Sequence, residues 1–243
     1  MIIDCEAYNL TKPIAGKTFG LPGLLQLARE ASVDRTVLMP DVGVHPDNRG
    51  LAEAVAASPA AQEHFVLSAW LNPSFGEDAV KELETAVLEW GFRGLKLMPT
   101  HHNFRSVSQV PYPLMRKAEE LGIPVTIHSG TFFCHPLEIS VLADAFPNVP
   151  VIMDHMGYRN YVAEAIAAAR RSPNIYLATT AVMEPHWIRQ AVRELGAEQV
   201  LFGSNAPVVW PSTQLLVIRQ AELTEAEERK VLGENAARLY HLD

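Results

Sequence analysis

Residues 94–128 read GLKLMPTHHNFRSVSQVPYPLMRKAEELGIPVTIH. The run GLKLM at 94–98 is short, apolar and bounded by glycine and proline. PVTIH at 124–128 repeats that character after PLMRKAEEL, whose apolar residues recur at helical spacing. A strand, a crossover helix and a second strand within about 30 residues make one βαβ unit, and strands apolar on both faces belong to a parallel sheet covered by helices.

The same unit recurs in both directions. Toward the N-terminus stand MIID at 1–4, RTVLM at 35–39 and FVLSAW at 65–70; toward the C-terminus follow PVIMDH at 150–155, NIYLAT at 174–179 and QVLFGS at 199–204. Helically spaced segments such as GLLQLAREA, AVKELETAVLEW, YVAEAIAAARR and HWIRQAVREL separate them. Eight βα units in 243 residues predict an α/β fold, a (β/α)8 TIM barrel forming one domain over residues 1–243. The tail TEAEERKVLGENAARLYHL adds two short helices, the first opened by a capping box of Thr224 and Glu227. An open doubly wound sheet would call for a GxGxxG turn after the first strand, and the chain contains no such turn, no P-loop and no Gly-x-Ser-x-Gly elbow.

With 48% hydrophobic and 20% charged residues the composition is that of an ordinary globular protein. Its net charge of -8 excludes a polyanion surface, so neither nucleic acid nor an anionic membrane is an expected partner, and a small-molecule substrate is. No apolar run approaches the roughly 18 residues of a membrane span, and no signal-peptide pattern opens the chain, which predicts a cytoplasmic location. Cys5 and Cys134 form no CxxC pair and are expected as reduced, structural thiols. Oligomeric state is open, and a homo-oligomer is compatible with the sequence.

In a barrel the inward residues at the carboxyl ends of the strands build the active site. Those ends carry Glu6 and Tyr8 on strand one, Lys96 on strand four, His128 on strand five, His155 on strand six and Asn205 after strand eight. Together they form a nitrogen and oxygen set suited to Zn²⁺ or a similar divalent ion. The structural alternative for Glu6 is a buried pair with Lys96 across the barrel, since buried charges are usually paired. His101 and His102 lie in a loop over the site. Tyr8, Phe132, Phe133, Tyr158 and Trp210 all fall just after strands, where lining an apolar pocket and plain packing are equal readings. Asp154 precedes His155 and is expected to face the outer helices.

These stretches resemble the amidohydrolase superfamily, in particular its amidohydrolase-related branch of metal-bearing (β/α)8 hydrolases, lactonases and nonoxidative decarboxylases. The likeness is carried by MIIDCEAY in place of a His-x-His, by GFRGLKLMP, PVTIHSGT and VIMDHMG, by VLFGSNAP in place of Gly-Ser-Asp-x-Pro, and by LGENAARLYHL. The resemblance implies Glu6 and His128 as metal ligands, with Tyr8 at the position of a second strand-one histidine, and His155 as a site histidine. It also sets Asn205 at the place of an aspartate that trades a proton with water or substrate, which an amide cannot do.

Three functions follow as expectations. The first is a mononuclear metal-dependent hydrolase of a small amide, ester or lactone. In it Glu6 and His128 hold one zinc or manganese ion, His155 acts as base with Lys96 and Asn205 in the catalytic set, and Tyr8, His101 and Trp210 contact substrate. The second is a nonoxidative decarboxylase of a small aromatic or unsaturated acid. The third is a barrel without metal that binds a small molecule or moves protons through His128, His155 and Lys96.

Overall fold

The computed structural model describes residues 1–14 and 16–242. Eight parallel strands pair in sequence order: β1 (Ile3–Tyr8), β2 (Arg35–Met39), β3 (Phe65–Trp70), β4 (Gly94–Leu97), β5 (Val125–Ile127), β6 (Val151–Met153), β7 (Ile175–Ala178) and β8 (Val200–Leu201). Beyond β8 the chain closes the ring onto β1. The Cys5 amide donates to the Phe202 carbonyl (2.9 Å), the Asn205 amide to Glu6 O (3.0 Å) and the Tyr8 amide to Ala206 O (2.8 Å). The result is the nearly closed (β/α)8 barrel that the repeated unit predicted.

Strand parity explains why both faces are apolar. Val37, Met39, Val66, Trp70, Ile152, Ala178 and Leu201 line the interior, while their neighbours Leu38, Leu67, Leu95, Leu97, Val151, Met153 and Leu177 pack outward against the helices. The outward layer meets helices including Glu77–Leu88, Tyr112–Leu121, Val162–Arg171 and Pro185–Leu195, each bearing an apolar stripe. A helix at Pro59–His64, capped by Ser58 and started by proline, lies just before β3 where the sequence showed no periodic signal.

The tail closes the amino-terminal end of the barrel. The Thr224–Glu227 capping box is present, and the helix Glu225–Arg229 runs through a π-helical stretch, Lys230–Glu234, into a last helix, Asn235–Leu239. Ala236, Leu239 and Tyr240 enter the interior cluster with Ile3 and Val37. Gly94 is obligatory here, because a Cβ would lie 2.9 Å from the Tyr240 ring and 3.1 Å from Ser68 Oγ. Cys5 and Cys134 are free and buried. Among the described residues no helix is long and apolar enough to cross a membrane.

Candidate functional site

The two acids of the first strand serve different structures. Between Asp4 and Ala7 the pairing with β2 shifts, three residues on β1 spanning two on its partner, and this bulge changes which side chains face in. Ile3 and Cys5 line the interior below the bulge, and Tyr8 does so above it. Asp4 turns to the β1–β8 seam, where it accepts from the Ser204 amide (2.8 Å) and the Ser204 hydroxyl. Burial pushes its carboxyl up to about 7 against the lowering pull of those donors. Glu6 turns to the centre of the barrel.

There it meets Lys96. The ammonium lies 3.0 Å from Glu6 Oε1 and is paired with Asp154 Oδ2, and all three side chains are 0% exposed. The Tyr8 hydroxyl also donates to Glu6 Oε1. Burial alone would lower the Lys96 pKa, but the Asp154 and Glu6 carboxylates hold it well above its ordinary value. Burial would likewise raise Asp154, yet His155, Lys96 and His128 hold it well below the usual carboxylate range. The centre therefore carries a fixed ammonium and an ionised aspartate.

Asp154 does not face the outer helices, and the reason is parity. Ile152 points inward on β6, so Asp154, two residues on, does so as well. The strand stops at Met153, and His155, Met156 and Tyr158 follow at φ of 57°, 46° and 56°, a left-handed run that brings His155 back over the mouth. His128 likewise lies one residue past β5. The loops after β5 and β6 interlock: the Ser129 amide donates to Asp154 Oδ1 (2.9 Å) and the Gly157 amide to Ser129 Oγ (2.8 Å). At Gly130, with φ of +86°, a Cβ would lie 2.2 Å from the Gly157 carbonyl carbon.

His128 Nδ1 lies 3.4 Å and His155 Nε2 3.7 Å from Asp154 Oδ1, with the two imidazoles 4.7 Å apart edge to face. His155 Nδ1 is 3.0 Å from the Thr180 carbonyl, which only accepts, so Nδ1 carries a proton and Nε2 is the nitrogen turned toward Asp154. Among the described residues, His128, Asp154 and His155 form a group whose ligand atoms all lie within 4.8 Å of one another. Sequence reasoning paired His128 with Glu6; the structure draws Glu6 to Lys96, as in the structural alternative, and sets Asp154 beside His128. The signal for Asp154 was available in the inward parity of Ile152.

The other candidate residues sit around this centre. Asn205 is in the left-handed region at φ 74° and donates its amide to Glu6 O, which fixes the backbone there. The Tyr8 ring lies 5.6 Å from Trp70, which in turn lies 6.2 Å from His101 and from His102. His101 is exposed, whereas His102 Nε2 lies 3.0 Å from the Gly43 carbonyl. Trp210 caps the helix Pro211–Arg219 and is 44% exposed. Beside the centre a cavity of about 660 Å³ opens between the loops after β4, β5 and β6, lined by Arg105, Phe132, Phe133, Tyr158 and Tyr161 among others. Tyr158 joins it to the centre, its ring 5.6 Å from His155.

Known proteins share this scaffold. A gamma-resorcylate decarboxylase of Polaromonas sp. is 23% identical over 248 residues, covering 81% of this chain and 75% of the relative. The crystal structure of a 2,6-dihydroxybenzoate decarboxylase from Rhizobium aligns with a TM-score of 0.78 at 18% identity, covering 100% of this chain and 99% of that one. A dihydroxybenzoic acid decarboxylase from Polaromonas sp., solved with bound manganese and the inhibitor 2-nitroresorcinol, aligns with a TM-score of 0.78 at 19% identity over 99% of this chain and 97% of that one. The amidohydrolase family model matches residues 20–242, nearly the whole barrel, and the chain belongs to that family.

Proposed function

We propose that this protein is a divalent-metal-dependent, nonoxidative decarboxylase of a small aromatic or unsaturated acid. The observation that carries the reading is the convergence of His128, Asp154 and His155 at the mouth of the barrel, beside an aromatic-lined cavity. The activities named for the similar proteins favour decarboxylation over hydrolysis.

The residues present fit a divalent ion. Two buried carboxylates face one ammonium, and Glu6 Oε2 is buried without a hydrogen-bond partner, so the centre has negative charge in excess of its own cation. His128, His155 and Asp154 Oδ1 would hold the ion, a mixed nitrogen and oxygen set that suits zinc and manganese alike. When bound, the ion supplies an anchor for the substrate carboxylate and an adjacent oxygen.

The chain's own groups prepare that role. The Ser129 amide orients Asp154 Oδ1, and the Thr180 carbonyl orients the His155 ring, as outer partners do for ligating histidines. Phe132, Phe133 and Tyr158 line the cavity and give an aromatic substrate apolar ring surface to pack on. The products balance as carbon dioxide and the parent arene, the ring carbon gaining one proton.

The test is carbon dioxide release from 2,6-dihydroxybenzoate and related hydroxybenzoates by protein loaded with Mn²⁺ or Zn²⁺, and by the same protein after chelation. Release that stops on chelation is expected. Fully loaded protein that releases none from any member of the panel overturns the reading.

A further inference from the structure

Lys96 occupies the place between two buried carboxylates where a cation is needed, and it is covalently part of the chain. Its ammonium takes up Glu6 Oε1 and Asp154 Oδ2. The Tyr8 hydroxyl bonds the same Glu6 oxygen, so Glu6 is anchored by two donors on one side while Oε2 stays unpartnered. Only Asp154 Oδ1 is left turned toward His128 and His155. A second cation near these carboxylates is repelled by the ammonium already there, and it finds Glu6 committed elsewhere.

We propose that Lys96 is a positioning residue that sets the divalent-ion affinity of the site by holding Glu6 out of the coordination shell. The resident ammonium confines the ligands to His128, His155 and one oxygen of Asp154. The inference rests on the metal-site reading above, but it makes a separate claim about which carboxylate is withheld and by what.

The separating experiment is a metal titration. Lys96→Met keeps an unbranched side chain, one heavy atom shorter, and removes its charge, freeing Glu6 as a fourth ligand. Chelator-treated Lys96→Met is expected to bind Mn²⁺ or Zn²⁺ at least about tenfold tighter than the parent, the scale on which groups around a metal site act. Its melting temperature should be lower without metal and should rise further on adding it than the parent's does. In Lys96→Met/Glu6→Gln most of the gain should vanish. Glu6→Gln alone, which leaves Lys96 paired with Asp154, should lose less than about tenfold, the effect of a nearby negative charge without that of a lost ligand.

Lys96→Met that binds no tighter than the parent overturns the proposal, as does Glu6→Gln that loses more than about tenfold. Should Lys96→Met fail to fold without metal, the Glu6→Gln titration decides alone. A parent that binds no ion while Lys96→Met binds one sinks the metal-dependent function and upholds this inference. Absence of binding in both proteins overturns both.

Discussion

Asp154 presents one oxygen to an ammonium and the other to two imidazoles and a backbone amide, so its removal reaches both the stability and the chemistry of the centre. Removing one partner of a buried pair typically costs roughly 3–5 kcal/mol. Because Glu6 still neutralises Lys96, Asp154→Asn is expected near the lower end, a fall of about 6–12 °C in melting temperature for a chain of this size. The stabilisation by added Mn²⁺ should disappear with it, and calorimetry with and without metal checks both. Asp4 makes a separate prediction about pH. Its folded-state carboxyl titrates near 7 against an ordinary 3.8, because burial disfavours its charge. The native state thus keeps a proton that the unfolded chain releases, so this group's contribution is fully present below 3.8 and is lost as pH rises toward 7. Asp4→Asn should flatten that decline. Melting curves between about pH 4 and 7 that fall in parallel for both proteins would contradict the assignment.

At the scale of elements, the site depends on three departures from regular strand geometry: the bulge in β1, the end of β5 just before His128, and the left-handed turn after β6. Gly130 is the point where the last two meet, at a φ of +86° and against the Gly157 backbone. Gly130→Ala is expected to cost about 2 kcal/mol or more, since it adds a clash to a backbone that disfavours a side chain. It should also reduce metal affinity through His128 and His155, while leaving helix content unchanged. Chemical denaturation and metal titration of the variant measure the two effects. The expectation that Asp154 faces the outer helices missed the inward parity counted from Ile152; the position of His155 is not legible from parity at all, because its direction is set by the turn and not by the strand.

For the whole molecule, the tail is the floor of the barrel, and Tyr240 is its largest side chain, fully buried with Thr126 Oγ1 and its own hydroxyl 3.5 Å apart. Tyr240→Ala should destabilise the protein by about 3–5 kcal/mol, the range for emptying a large aromatic site. That loss is to be read from denaturant midpoints at constant slope. Because β1 is sealed on one side by the segment after β8 and below by the terminal helix, we further propose that residues 1–243 are one cooperative domain. A single calorimetric transition is expected, and two resolved transitions would refute it.

Much of this protein is written locally. Short strands apolar on both faces, helices of matching spacing and the capping box at Thr224 are properties of neighbouring residues, and they determine a parallel barrel without reference to distant contacts. The sequence also marks Glu6, Lys96, His128 and His155 as polar residues at the ends of apolar strands. It does not say which of them pair. Glu6 lies 90 residues from Lys96, and Asp154 58 residues beyond that, and a buried ammonium takes the carboxylates that the closed barrel brings nearest. Only the tertiary structure decides that competition, because charge pairing away from water depends on distance through space and on burial, and neither is encoded in the spacing along the chain.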